Sequence, residues 1–177
     1  MVRVAYAGRA VGLVAVGLIA AGCGSSSPPE SSSQGGGTVA ATGLACGQPW
    51  RSPPGGLAVT GRFPASAPAG RQPVTGAVEV TSSTALRGVV APGADMFVVQ
   101  ADRIVAMPMA QDAVGVRWEL AKGEARGIAG QVVLVSCAPG GGPLPPGSYQ
   151  LYARVVFTPD DAAAMTSFGG PWPLEVR

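Results

Sequence analysis

Tyr149-Gln150-Leu151-Tyr152-Ala153-Arg154-Val155-Val156-Phe157-Thr158 decides how this chain folds. Tyr149, Leu151, Ala153, Val155 and Phe157 fall on one side, and Gln150, Tyr152, Arg154 and Thr158 on the other. Side chains alternate across a strand, so a period of two over this length predicts a long, half-buried β-strand. A helix would need the apolar positions three and four apart. The same period recurs upstream. Val114, Val116, Trp118 and Leu120 share a predicted inner face against Gly115, Arg117 and Glu119. Leu57, Val59, Gly61 and Phe63 alternate with Ala58, Thr60 and Arg62, and Val78 and Val80 alternate with Ala77 and Glu79.

Other segments fill in the pattern. Residues 132–135 are apolar on both faces, as a central strand requires. Residues 97–99 and 104–105 flank Gln100-Ala101-Asp102-Arg103, which reads as a hairpin. With residues 86–91 and 173–176 the count reaches about eight strands. One short helix is expected over residues 160–166, opened by Thr158-Pro159-Asp160, with Asp160 and Asp161 capping it. Among 177 residues there are 27 Gly and 17 Pro, which cut the chain into short pieces. Many short strands so punctuated predict an all-β, antiparallel sandwich of seven to eight strands in one domain over residues 44–177.

The amino-terminal part reads differently. Arg3 and Arg9 precede an uncharged run of twelve residues, 10–21, too short to cross a bilayer, which takes about 17 or more. A basic start, a short apolar middle and the small residues Ala20, Ala21 and Gly22 describe an export signal. Ala20-Ala21-Gly22-Cys23 resembles the lipobox of bacterial lipoproteins, with Ala20 where that family more often has Leu. The resemblance implies removal of residues 1–22 and diacylglyceryl and palmitoyl chains on Cys23. It also implies attachment to the outer face of the cell membrane. Two or three acyl chains suffice for that, because each buried methylene contributes about 0.8 kcal/mol. Residues 24–38 contain six Ser, four Gly and two Pro, so residues 23–43 are expected to be a disordered tether. Eleven Arg against a single Lys, Lys122, point by composition to a GC-rich, actinobacterial genome.

Without its signal the chain has ten cationic and ten acidic side chains and no basic run, so nucleic acid is not an expected partner. There is no His, which excludes histidine bases, triads and histidine metal ligands. Of three cysteines, Cys23 is assigned to lipid. Cys46 and Cys137 then form the even pair that an exported domain oxidises to a disulfide.

Leu144-Pro145-Pro146-Gly147-Ser148-Tyr149-Gln150-Leu151-Tyr152-Ala153 resembles the lead-in to a late strand of immunoglobulin-like and fibronectin-like bacterial domains. Envelope lipoproteins and the domain named for an intracellular proteinase inhibitor of Bacillus are among them. That resemblance implies an immunoglobulin-like sandwich and leaves function open.

Five groups of residues are candidate sites. Met107 and Met109, one residue apart, could present two thioethers to Cu(I), with Met96 and Met165 elsewhere; core packing is the expected role. Pro143, Pro145 and Pro146 lie in an eleven-residue stretch with four Gly and four Pro, a polyproline-type recognition loop or a stiff connection. Asp160 and Asp161 have too few oxygens for calcium. Asp95, Asp102, Asp112, Glu119 and Glu124 could supply the two carboxylates of a hydrolase, but Glu119 sits beside Arg117 as a surface pair would. Lys122 has no Ser three residues before it. Trp172, between Pro171 and Pro173, is an anchor for a partner or a lock on the last strand, and Trp50 is expected to pack near the disulfide. The expected function is a non-catalytic binding or envelope accessory lipoprotein without a cofactor, with an unidentified envelope protein or ligand as partner. Cu(I) handling and carboxylate hydrolysis are the alternatives.

Overall fold

Why one long strand organises everything is visible in its neighbours. In the computed structural model, which describes residues 43–111 and 114–177, ten strands and no helix occur among the described residues. They are β1 (Ala58–Arg62), β2 (Ser66–Ala67), β3 (Pro73–Thr81), β4 (Leu86–Val90), β5 (Gly93–Gln100), β6 (Arg103–Ala106), β7 (Val116–Leu120), β8 (Ala125–Val133), β9 (Gly147–Pro159) and β10 (Met165–Val176). β9 contains the alternating segment Tyr149 to Thr158. One edge pairs with β10, from Gly147 with Val176 to Phe157 with Met165. Its other edge is shared, with β5 beside Gln150 to Arg154 and β4 beside Phe157 to Pro159.

The order along the sheet is β1-β3-β8-β5-β9-β10-β2, with β6 on β5 and the β4-β7 pair attached to β9. Two of the pairings are parallel, β5 with β8 and β2 with β10. The wholly antiparallel arrangement expected from the sequence is therefore corrected to a mixed sheet. Such pairings join segments far apart in the chain and leave no local mark on sequence. The sheet curls until its far strands face each other. Trp172 of β10 lies over Gly61 of β1, where a Cβ would come within 2.7 Å of the indole, and its ring is 5.2 Å from that of Phe63. Phe63 in turn fills the space over the paired Gly76 and Gly130.

Inside the curl lie Val78, Val80, Met96, Val98, Leu151, Ala153, Val155 and Phe157, all buried. The alternation of β9 is obeyed throughout, its even-numbered side chains half-buried or exposed. The expected hairpin is present: β5 and β6 meet at Ala101 and Asp102, both with positive φ (47° and 59°), the geometry of a tight two-residue turn. At the start of β9, Leu144 is buried and its N–H donates to the Leu134 carbonyl at 2.8 Å, while the Tyr149 hydroxyl donates to the Pro145 carbonyl at 2.8 Å. Burial raises the Tyr149 pKa, with the Gln100 side chain acting in the opposite direction, so the phenol remains a donor. Tyr149→Phe should cost about 1 kcal/mol in denaturant unfolding, the usual worth of one hydrogen bond.

Two local expectations are corrected. Residues 160–164 form a bend between β9 and β10, not a helix capped by Asp160 and Asp161; Asp160 instead binds Arg117. A connection this short between paired strands has no room for helix nucleation. The apolar face of the β7 segment is also only half covered. Trp118 and Leu120 are buried, while Val114 and Val116 are 72% and 44% exposed. β7 begins at Val116 and pairs with β4 alone, and an open hollow separates Val116 from Gly127, Ile128 and Ala129, so its first half is only partly covered. The segments assigned to signal (1–22), Cys23 and tether (to 43) lie, except for Gly43, outside the described residues, as does Asp112.

Candidate functional site

On β5 the sequence Met96-Phe97-Val98-Val99 sends two side chains into the main core and two out the other side. The outward pair, Phe97 and Val99, is nevertheless buried, because residues 44–50 cross that face as a strap. The strap is held by backbone bonds to β6. Gly47 N–H donates to the Ile104 carbonyl at 2.8 Å, Ile104 N–H to the Gln48 carbonyl at 3.0 Å, and Trp50 N–H to the Asp102 carbonyl at 2.8 Å. Arg103 adds a bond to the Gly47 carbonyl at 2.9 Å. Trp50 seats the strap, its ring 4.3 Å from Tyr152, 5.3 Å from Phe97 and 5.8 Å from Phe168. Burial beside this cluster, reinforced by the Asp102 charge, raises the pKa of Tyr152.

Cys46 and Cys137 are bonded, Cα atoms 5.7 Å apart, which ties the strap to the segment after β8. The sequence pointed to the bond but not to the strap. The available signal was the two-faced apolar run at 96–99, which calls for cover on both sides.

The predicted candidates are dispersed. Met107 packs against Phe97, Val99 and Ile104 under the strap, Met96 is in the main core, and Met109 is 39% exposed. Among the described residues no group of three His, Cys, Asp or Glu is placed to hold a metal ion. The carboxylates are engaged separately. Asp95 accepts from Arg154 at 2.7 and 3.0 Å and from Gln111 at 3.2 Å. Glu119 lies 3.6 Å from Arg87, Asp160 is paired with Arg117, and Glu124 accepts from the Ala121 N–H at 2.9 Å. Trp172 serves the closure of β10 on β1. Pro143, Pro145 and Pro146 are exposed, on a backbone pinned by the Val135–Pro143 bridge, Leu144 and the Tyr149 hydroxyl.

Among the open hollows, two adjoin residues considered above. One, about 690 Å³, is lined by Leu44 and Pro49 of the strap and by Arg51 and Pro53 just after it. The other, about 650 Å³, is lined by Leu86, Arg87, Glu119, Glu124, Asp160 and Asp161. The second holds one cation, Arg87, among four carboxylates, so its exposed lining is net acidic.

No protein-family model and no curated protein matches the chain. Solved structures that resemble it include a β-glucosidase from Listeria innocua in complex with glucose, at 12% identity and a TM-score of 0.35. A Niemann-Pick type C2 protein from Japanese carpenter ant is similar at 14% identity and a TM-score of 0.37, covering 75% of this chain and 100% of that one. The match to the glucosidase covers 69% of this chain and 16% of that one, so this chain spans only a small part of the enzyme's length. At these scores the likenesses assign neither family nor activity.

Proposed function

We propose that this chain is a bacterial lipoprotein, anchored through acylated Cys23 on the outer face of the cell membrane. Its immunoglobulin-like domain works there by binding, without catalysis. The Cys46–Cys137 disulfide carries the reading. A stable disulfide belongs to an oxidising, exported setting, and this one uses both cysteines other than Cys23. The third thiol is then left directly behind Ala20-Ala21-Gly22, where acylation accounts for it.

The immunoglobulin-like assignment draws support from two features. The Tyr149 hydroxyl reaches back four residues to a backbone carbonyl at the start of a late strand, as in the tyrosine corner of such domains. β1, β3 and β8 form one group of neighbours and β6, β5, β9, β10 and β2 another, bridged by only three parallel pairs between β5 and β8.

Recognition falls to the exposed Pro143, Pro145 and Pro146, because a backbone already pinned loses little entropy when it binds. The partner is an envelope protein or ligand within reach of the tether.

Membrane fractionation with mass spectrometry of the amino-terminal peptide tests the anchor. The expected result is a mature start at an acylated Cys23, and Cys23→Ser should lose nearly all membrane-bound protein. A free thiol at Cys23, or a start elsewhere, overturns the reading. Crosslinking in native membranes tests the binding role: Pro143→Ala with Pro145→Ala should deplete a specific crosslinked species that the wild type gives.

A further inference from the structure

We propose that β7 is a self-pairing edge, along which two copies of this chain join antiparallel about a two-fold axis at Trp118. β7 hydrogen-bonds to β4 and to no other strand among the described residues. Three of the four exposed large apolar side chains among the described residues lie beside it: Val114 and Val116 at its start, 72% and 44% exposed, and Val89 on β4, 37% exposed. An unpaired edge with apolar side chains next to it is a template for another strand.

The sequence of β7, Val116-Arg117-Trp118-Glu119-Leu120, says which strand it fits. In an antiparallel pair centred on Trp118, Arg117 of one copy stands opposite Glu119 of the other, twice over, and Val116 stands opposite Leu120. Within each copy Glu119 already faces Arg87 across β4 and Arg117 is paired with Asp160, so Arg117 divides its charge between Asp160 and the Glu119 of the second copy. The solvent side of the joined sheet then reads Arg87, Glu119 and, from the second copy, Arg117, with signs alternating along the row. On the other side, Val116 gains the apolar cover it lacks. Unlike charges directly opposite stabilise a strand pair and like charges destabilise it. Moving the centre to Arg117 or Glu119 puts each of those charges against its own copy, and moving it by half a step sets the core face of one sheet beside the solvent face of the other. A single register is therefore favoured. The exposed Arg126 guanidinium, 5.5 Å over the Trp118 ring and 3.4 Å from the Glu119 carbonyl, has to swing off that carbonyl to admit the second strand. Five residues a side make a small interface, so the dimer is weak and reversible.

The test uses two differently tagged copies of the full chain, co-expressed, extracted in detergent and captured through one tag. Wild type should capture wild type. Arg117→Glu with itself, and Glu119→Arg with itself, should each fall by about tenfold, because two attractions become two repulsions. Arg117→Glu with Glu119→Arg should recover capture, since every cross-strand pair is again unlike. A chain carrying both reversals should also capture itself. Recovery separates pairing from misfolding, which no partner would repair. Failure of wild type to capture itself overturns the proposal. So does equal capture in all combinations, or absence of recovery in both the mixed and the doubly reversed arrangements.

Discussion

Cys46→Ser combined with Cys137→Ser is expected to lower stability by about 4.6 kcal/mol, the chain-entropy value for a closed loop of 92 residues. That loop spans most of the folded residues, so the unfolded chain regains a large freedom when the bond is absent. In a domain of this size the loss corresponds to a melting temperature about 15 °C lower. Calorimetry on the oxidised wild type and the double variant measures it, and reduced wild type should melt with the variant. The strap makes the outcome diagnostic. Its backbone bonds and the seat of Trp50 on Phe97, Tyr152 and Phe168 do not involve the disulfide itself. A shift of only a few degrees would mean that strap and sheet unfold separately.

Phe157→Ala is expected to cost about 3–5 kcal/mol, the range for truncating a buried aromatic ring. The ring is fully buried and sits where β9 passes from β5 to β4, paired with Val90 on one side and Met165 on the other. A Cβ on Gly88 would come within 2.9 Å of it and within 2.2 Å of the Thr158 carbonyl, so the two strands approach as closely as a glycine permits. Removing the ring opens a cavity that this tight backbone contact cannot close. Urea unfolding with an unchanged m-value would attribute the whole effect to stability. A loss under 1 kcal/mol would mean that Val90 and Met165 collapse into the space.

Alternation is a local signal, so several strands were legible, whereas β8 (expected only over 132–135) and β10 (expected only over 173–176) extend well beyond their expected bounds. Alternation placed β9 almost to the residue, set the faces of Val78 and Val80, and located the turn at Ala101 and Asp102. The disulfide was legible from the number of cysteines. What alternation cannot report is whether another element lies over a face. Val114 and Val116 carry the same pattern as Trp118 and Leu120, yet β7 pairs with β4 alone and these two side chains stay exposed at its start. Phe97 and Val99 carry the opposite lesson, since an outward face turned out to be covered by distant residues. The helix expected after Pro159 failed for a related reason: Asp160, Ala162, Ala163 and Ala164 suit a helix locally, but β9 and β10 pair on either side and leave only a bend. Candidate site residues were harder still. Met107 and Trp172 have plausible binding chemistry, and only their neighbours show that both are spent on packing.

The covalent bond at the amino-terminal end of the strap also has a mechanical meaning. Tension applied through the chain before residue 43 arrives within a few residues at Cys46 and crosses the sulfur bridge to Cys137. The indole of Trp50 and the bonds to β6 lie downstream of that shunt and are shielded from peeling. A pull of that kind passes to the segment after β8, whose Cys137 N–H is itself bonded to the Val105 carbonyl of β6, instead of unzipping the cover one contact at a time.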